Sequence, residues 1–178
     1  MQTQLVISEN GTDSKAFRAG AVFDQIHIAT TCDGQPWQTG CPPVVAHADG
    51  LVTPRTAAQP GEFVVLYGWG FGHTTPAAKT GEASPMPAAV VTLPGWDGLQ
   101  VGFDFRPNAP PSRYFPAGLS ANAYLTPGFA GLYQINVQIP ENFPAVPPCG
   151  QAIQSNLTIN VGGPFSFDGA PICVQPPQ

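Results

Sequence analysis

Three histidines, a scatter of carboxylates, three tryptophans and four cysteines are the residues with which this chain could do chemistry. His47 stands two positions before Asp49, and with Asp104 the pair could hold a cation. No third ligand follows at a metal-binding spacing, so the expectation is a strand-end histidine beside a turn-forming aspartate. His73 follows the run Gly68-Trp-Gly-Phe-Gly72, which resembles a phosphate cradle only in its glycines. It lacks the Lys-Ser/Thr ending and no helical pattern follows it. The glycines are therefore expected to ease a bend where a strand becomes a loop. No Gly-x-Ser-x-Gly elbow occurs. Glu9, Asp13, Asp24, Glu62, Asp97, Asp104 and Glu141 could pair as a glycosidase requires, but most sit beside turns, where acids are common. The chain is expected not to be an enzyme and to need no cofactor or metal.

Aromatic residues carry the other chemistry. An exposed Trp or Tyr offers an apolar ring face with a polar rim, on which a pyranose can stack. Trp37, Trp96 and Tyr114 fall in loops and are the expected ligand-binding residues of that reading; the competing one makes them partly buried loop anchors. Trp69 is expected to cap the core beside Tyr67.

The cysteines fall into two pairs along the chain, Cys32 with Cys41 and Cys149 with Cys173. Four cysteines allow three pairings. The sequential one is expected, as disulfides, because Cys-x-x-Cys spacing and clustered histidines are both missing.

Charge and hydropathy each argue against one partner class. Six basic residues against eleven acidic ones leave a net charge of −5, and Lys15, Arg18, Arg55, Lys79, Arg106 and Arg113 are scattered. No basic stripe exists to neutralise phosphates, so nucleic acid is not expected as a partner. No apolar run approaches a membrane span. Charged residues are only 10% of the chain, whereas hydrophobic ones reach 43%, enough for a substantial core. An even cysteine count, few charges and a surface of Ser, Thr, Asn and Gln point to an extracellular or cell-surface location. Met1-Gln-Thr-Gln lacks a basic start and an apolar signal region, so the chain is expected to be a piece of a longer secreted protein.

The elements that must position these residues are strands. Helical periodicity is absent, and 22 prolines and 20 glycines interrupt the chain at short intervals. Tyr133, Ile135, Val137 and Ile139 alternate with Gln134, Asn136 and Gln138, the pattern of a sheet with one face in the core and one wet. Leu157, Ile159 and Val161 alternate with Thr158 and Asn160 in the same way. Phe63 to Tyr67 is nearly continuous in apolar character, which predicts a strand in mid-sheet. Further strands are expected at 5–8, 17–22, 25–29, 44–48, 88–93, 99–105 and 121–126, and an extended loop at 74–89. Turn pairs such as Asn10-Gly11, Asp49-Gly50, Pro60-Gly61 and Pro127-Gly128 separate them. Strands at this spacing argue for a sandwich. A faint internal repeat aligns Leu5, Ile7, Gly11 and Ser14 with Leu157, Ile159, Gly163 and Ser166. It raises the alternative that the N-terminal hairpin closes a preceding unit.

Four stretches together carry a resemblance: Val45-Ala-His-Ala-Asp-Gly50; Ala58-Gln-Pro-Gly-Glu-Phe-Val-Val-Leu-Tyr-Gly-Trp-Gly-Phe-Gly72; the region from Gly118 to Ile139; and Asn160-Val-Gly-Gly163 with Ser166. They resemble the C-terminal domain family of large secreted acidobacterial proteins, which is related to the immunoglobulin-like IPT/TIG modules. The cysteine pairs and the segment from Asp97 to Pro116 depart from that family's pattern. The resemblance implies an extracellular, non-catalytic structural or adhesive module. The expected fold is all-β: an immunoglobulin-like antiparallel β-sandwich over 44–178, with an N-terminal hairpin and disulfide loop over 1–43. Expected partners are other domains of a parent secreted protein, polysaccharide, and further copies of the chain by strand addition.

Overall fold

The computed structural model of the chain describes residues 2–20, 26–33, 41–92, 99–103, 115–116, 121–142, 157–160 and 167–175. Among them every regular element is a strand. In chain order these are β1 (Gln2–Leu5), β2 (Ser8–Glu9), β3 (Thr12–Asp13), β4 (Phe17–Gly20), β5 (His27–Ile28), β6 (Val45–His47), β7 (Gly50–Leu51), β8 (Phe63–Trp69), β9 (Thr74–Thr75) and β10 (Val90–Val91). They continue with β11 (Gln100–Gly102), β12 (Phe115–Pro116), β13 (Ala121–Leu125), β14 (Tyr133–Gln138), β15 (Leu157–Asn160) and β16 (Phe167–Ala170). No helix among the described residues is long and apolar enough to cross a membrane.

The largest sheet runs β7-β6-β8-β14-β13-β10-β9, with β5 also paired to β8. A second sheet runs β12-β11-β15-β16. All ladders are antiparallel. The two sheets share one core: Val64, Leu66, Ile135 and Val137 come from the first, Val101, Leu157, Ile159 and Ala170 from the second. The expected all-β architecture is therefore present.

β8 is the organising strand. Its β-branched and aromatic residues suit a pleated sheet. The Pro60-Gly61 turn starts it, with Gly61 at φ +82°. It pairs with β14 along its length from Phe63 to Gly68, and with β6 and β5 on the other edge. It ends where Gly70 and Gly72 take positive φ, the left-handed conformation glycine adopts without steric cost. That bend turns Phe71 inward, where it is fully buried and tilts against Tyr133 at 5.5 Å. The glycine run thus serves the fold as the sequence predicts.

Two expectations need correction. Thr158 and Asn160 are not a wet face of β15; all four residues of that strand are buried. β15 is interior to its sheet, between β11 and β16, and Thr158 and Asn160 are buried despite their polar side chains. The loop after Thr74 begins with a short strand, β9, which pairs with β10.

Gly68 is the most tightly packed of the described glycines. A Cβ there would stand 2.5 Å from the His27 carbonyl oxygen and 2.9 Å from the Phe71 ring. Backbone cannot yield as a flexible side chain can. Gly68→Ala is predicted to destabilise the chain by about 1–3 kcal/mol, the usual scale of overpacking. The check is the urea midpoint at unchanged slope.

Candidate functional site

Residues opposite one another in a ladder share a face. On β8, Val64 and Leu66 point into the core, so Phe63, Val65, Tyr67 and Trp69 point out. Trp69 lies opposite His27; Tyr67 lies opposite Gln134, which lies opposite Tyr124 and then Val90. Val65 lies between Ala46 and Asn136, and Asn136 lies opposite Asn122. Phe63 lies opposite Gln138. The outer surface of the large sheet is thus a row of rings on β8 beside a row of amides on β14 and β13. None of these residues except His27, at one end, bears a titratable charge near neutral pH.

Exposure fits the outward direction of Phe63 and Trp69, and Tyr67 is half-buried between them. Phe63 is 62% exposed, Val90 45% and Trp69 38%. Trp69 therefore does not cap the core as expected; its ring lies on the surface, stacked on His27 with centroids 5.7 Å apart and planes 11° from parallel. The core position near Tyr133 is filled by Phe71 instead. From Phe63 to Trp69 the rings span about 20 Å at the rise of an extended strand. Gln138 donates from its side-chain nitrogen to the Gly61 carbonyl at 3.1 Å, which fixes its orientation. The Asn136 Oδ1 atom, in the middle of the face, is buried and accepts no hydrogen bond.

His27 closes the Trp69 end. Its Nε2 meets Asp33 Oδ1 at 3.0 Å and its Nδ1 meets Asp168 Oδ2 at 3.3 Å. Each carboxylate is held in turn. Asp33 accepts from the Thr30 amide at 2.8 Å and hydroxyl at 2.9 Å, and Asp168 accepts from the Ile28 amide at 2.7 Å. The hydrogen bond to Asp33 raises the His27 pKa most; desolvation opposes it, and the charges of Asp33 and Asp168 add to the rise. For Asp33, burial works against ionisation, but the hydrogen bonds from His27 and Thr30 outweigh it and lower the pKa. The two carboxylates bind opposite sides of the ring and do not converge on a common point. Among the described residues no group of three His, Cys, Asp or Glu side chains is placed to hold a metal.

The disulfide Cys32–Cys41 forms next to Asp33, with Cα atoms 5.4 Å apart, as the sequential pairing predicts. Cys173 is also disulfide-bonded; Cys149 lies outside the described residues. Trp37, Trp96 and Tyr114, the ring platform expected from sequence, lie outside them too, as does Asp104. His47 is nearly buried on β6, with Nδ1 2.9 Å from Glu62 Oε1; Glu62 Oε2 accepts the Gln59 amide at 2.8 Å. The pair braces the Pro60-Gly61 turn. A cleft of about 310 Å³ opens between the 72–84 segment and the start of β14, with Lys79, Glu82, Phe129 and Tyr133 on its walls. Lys79 and Glu82 pair with each other there at 3.5 Å.

The ring row was missed because Phe63-Val-Val-Leu-Tyr reads as one apolar run. Its signal was that Phe63, Tyr67 and Trp69 all fall on the same alternating face. No family model, curated protein or solved structure matches the chain.

The His27 cluster has a definite pH signature. A raised histidine pKa adds stability that is complete below the ordinary 6.5 and is lost as pH rises through the folded value above it. A lowered aspartate pKa adds stability present above the ordinary 3.8 and lost as pH falls through the folded value below it. Both contributions coexist between 3.8 and 6.5. The melting-temperature difference between the native chain and His27→Gln is therefore predicted to be larger near about pH 5 than near about pH 8. Thermal melts across that range decide it; a constant difference contradicts the assignment.

Proposed function

We propose that the chain is a non-catalytic adhesive module of a larger secreted or cell-surface bacterial protein, and that it holds a neutral polysaccharide along the outer face of β8, β14 and β13. The resemblance to the secreted acidobacterial family and an immunoglobulin-like arrangement of the two sheets belong to this reading. The disulfide supports an oxidising compartment.

The observation that carries the proposal is the row of rings beside the row of amides. Phe63, Tyr67 and Trp69 supply apolar platforms at three of the four outward positions of one strand, with Val65 between the first two. Gln134, Gln138 and Asn122 supply both donors and acceptors, which sugar hydroxyls need. The absence of charge along β8, β14 and β13 on this face favours a neutral ligand over a uronic acid or a sulfated chain. The distance from Phe63 to Trp69 fits several sugar rings in line, so a chain binds better than a monosaccharide.

Retention on insoluble cellulose, chitin and xylan tests the proposal. One of the three is expected to retain the chain, with Phe63→Ala and Trp69→Ala each weakening binding about tenfold or more, while circular dichroism is unchanged. Retention on none of them overturns it. So does retention that survives the double substitution, or that is lost only on Trp37→Ala or Trp96→Ala.

A further inference from the structure

The cleft between the 72–84 segment and the start of β14 is not part of the outer face. Tyr133 stands two positions before Ile135, so it lies on the inner side of β14, away from Gln134. Hydrogen bonds tie both walls. At one end the Tyr133 hydroxyl donates to the Gly72 carbonyl at 2.6 Å. At the other the Ser84 amide donates to the Phe129 carbonyl at 2.9 Å, and the Gly128 amide donates back to the Ser84 carbonyl at 2.9 Å. Between them the Glu82 amide donates to the Lys79 carbonyl at 3.2 Å, and Gly81 sits in that turn at φ +78°. A ligand therefore meets a cleft already held open, which lowers the ordering cost of binding. Its volume of about 310 Å³ lies at the small end of ligand pockets, roughly 300–1,000 Å³.

The lining says what kind of ligand fits. Phe129 and Tyr133 contribute rings, and Phe129 is 56% exposed. Thr74, Thr80 and Ser84 contribute hydroxyls. The Thr74 hydroxyl donates to the Pro76 carbonyl at 3.0 Å, so toward a ligand its oxygen accepts. Ser84 is 6% exposed, and its Oγ is buried with no hydrogen-bond partner among the described residues. A buried hydroxyl left unpaired is costly, and native structures rarely keep one without a reason. Lys79 and Glu82 pair with each other at 3.5 Å, so together they present no net charge. His73 also lines the cleft. An ionic ligand would have to separate the Lys79–Glu82 pair. A wholly apolar one would leave the Ser84 hydroxyl unpaired. A neutral polyol with an apolar face meets both conditions: its hydroxyls donate and accept, and its C–H face stacks on a ring.

We propose that the cleft is a second sugar site, enclosed rather than extended, which takes one terminal mono- or disaccharide unit of a neutral polysaccharide. Phe129 is its platform, and Thr74 and Ser84 are its hydrogen-bonding residues. The choice of a sugar rests on the polysaccharide reading of the outer face, but the two sites share no residue and are tested separately.

Calorimetric titration of the full chain with soluble cellobiose, chitobiose and xylobiose tests it. One of the three is expected to bind at a single site. The Phe63→Ala, Trp69→Ala double variant is expected to bind it as the native chain does. An insoluble polymer offers few ends, so retention stays a property of the outer face and is lost in that variant. Phe129→Ala is expected to weaken disaccharide binding about tenfold or more. Ser84→Ala is expected to weaken it about threefold or more. Its melting temperature should stay unchanged or rise, because the substitution removes an unpaired buried hydroxyl; a merely structural Ser84 would not separate the two readouts. Binding of none of the three disaccharides overturns the cleft site and leaves polymer retention, and with it the outer face, standing. Binding that the double variant abolishes, or that survives both Phe129→Ala and Ser84→Ala undiminished, overturns it as well.

Discussion

The structure depends on β8 being buried on one side only. Val64 and Leu66 are completely buried, and every other strand of the large sheet is placed by its distance from this one. β14 pairs with it along one edge, and β6 and β5 divide the other. The division is tight at Gly68, where β5 passes so close that no side chain fits. Neighbours on both edges satisfy the strand's backbone, and of its outward side chains Phe63 and Trp69 remain exposed. Aromatic residues there are exposed at a cost in solubility that folding alone does not explain. That imbalance is the reason to read the outer face as a binding surface.

The same strand shows where sequence reasoning succeeds and where it stops. β14 was legible because Gln134, Asn136 and Gln138 contrast with Ile135 and Val137, and contrast is what a period of two requires. β8 was legible as a mid-sheet strand, yet its two faces were not, since Phe63, Val65 and Tyr67 differ little in polarity from Val64 and Leu66. Beside Tyr67, Trp69 reads as a cap on the core; the glycine bend that sends Phe71 there in its place becomes visible only with backbone angles. β16 was missed because Phe167-Asp-Gly-Ala170 has weak strand propensity and is held by its pairing with β15. The Cys32–Cys41 bond followed from the chain's spacing, but its neighbour Asp33 gave no sign of meeting His27. Asp168 is 135 positions further along (168 − 33), and only the fold brings it to the same ring. Trp37, Trp96 and Tyr114 lie outside the described residues.

His27 links these parts. It joins the strand beside the disulfide to β8 by stacking on Trp69, and to β16 through Asp168. One side chain therefore fixes the ring at the end of the proposed binding face and fastens the segment that precedes it. This arrangement places the Trp69 ring against a rigid support rather than on a free loop, which limits the conformational entropy a ligand must remove.

The most direct test of the central claim is a backbone and side-chain amide NMR titration of the chain with an oligosaccharide of the polysaccharide that retains it. Shifts concentrated at residues 63–69 and 134–138, including the Gln134 and Gln138 side-chain amides and the Trp69 indole, are the predicted result. Shifts confined to the cleft beside Lys79 and Phe129, or to Trp37, Trp96 and Tyr114, would contradict it.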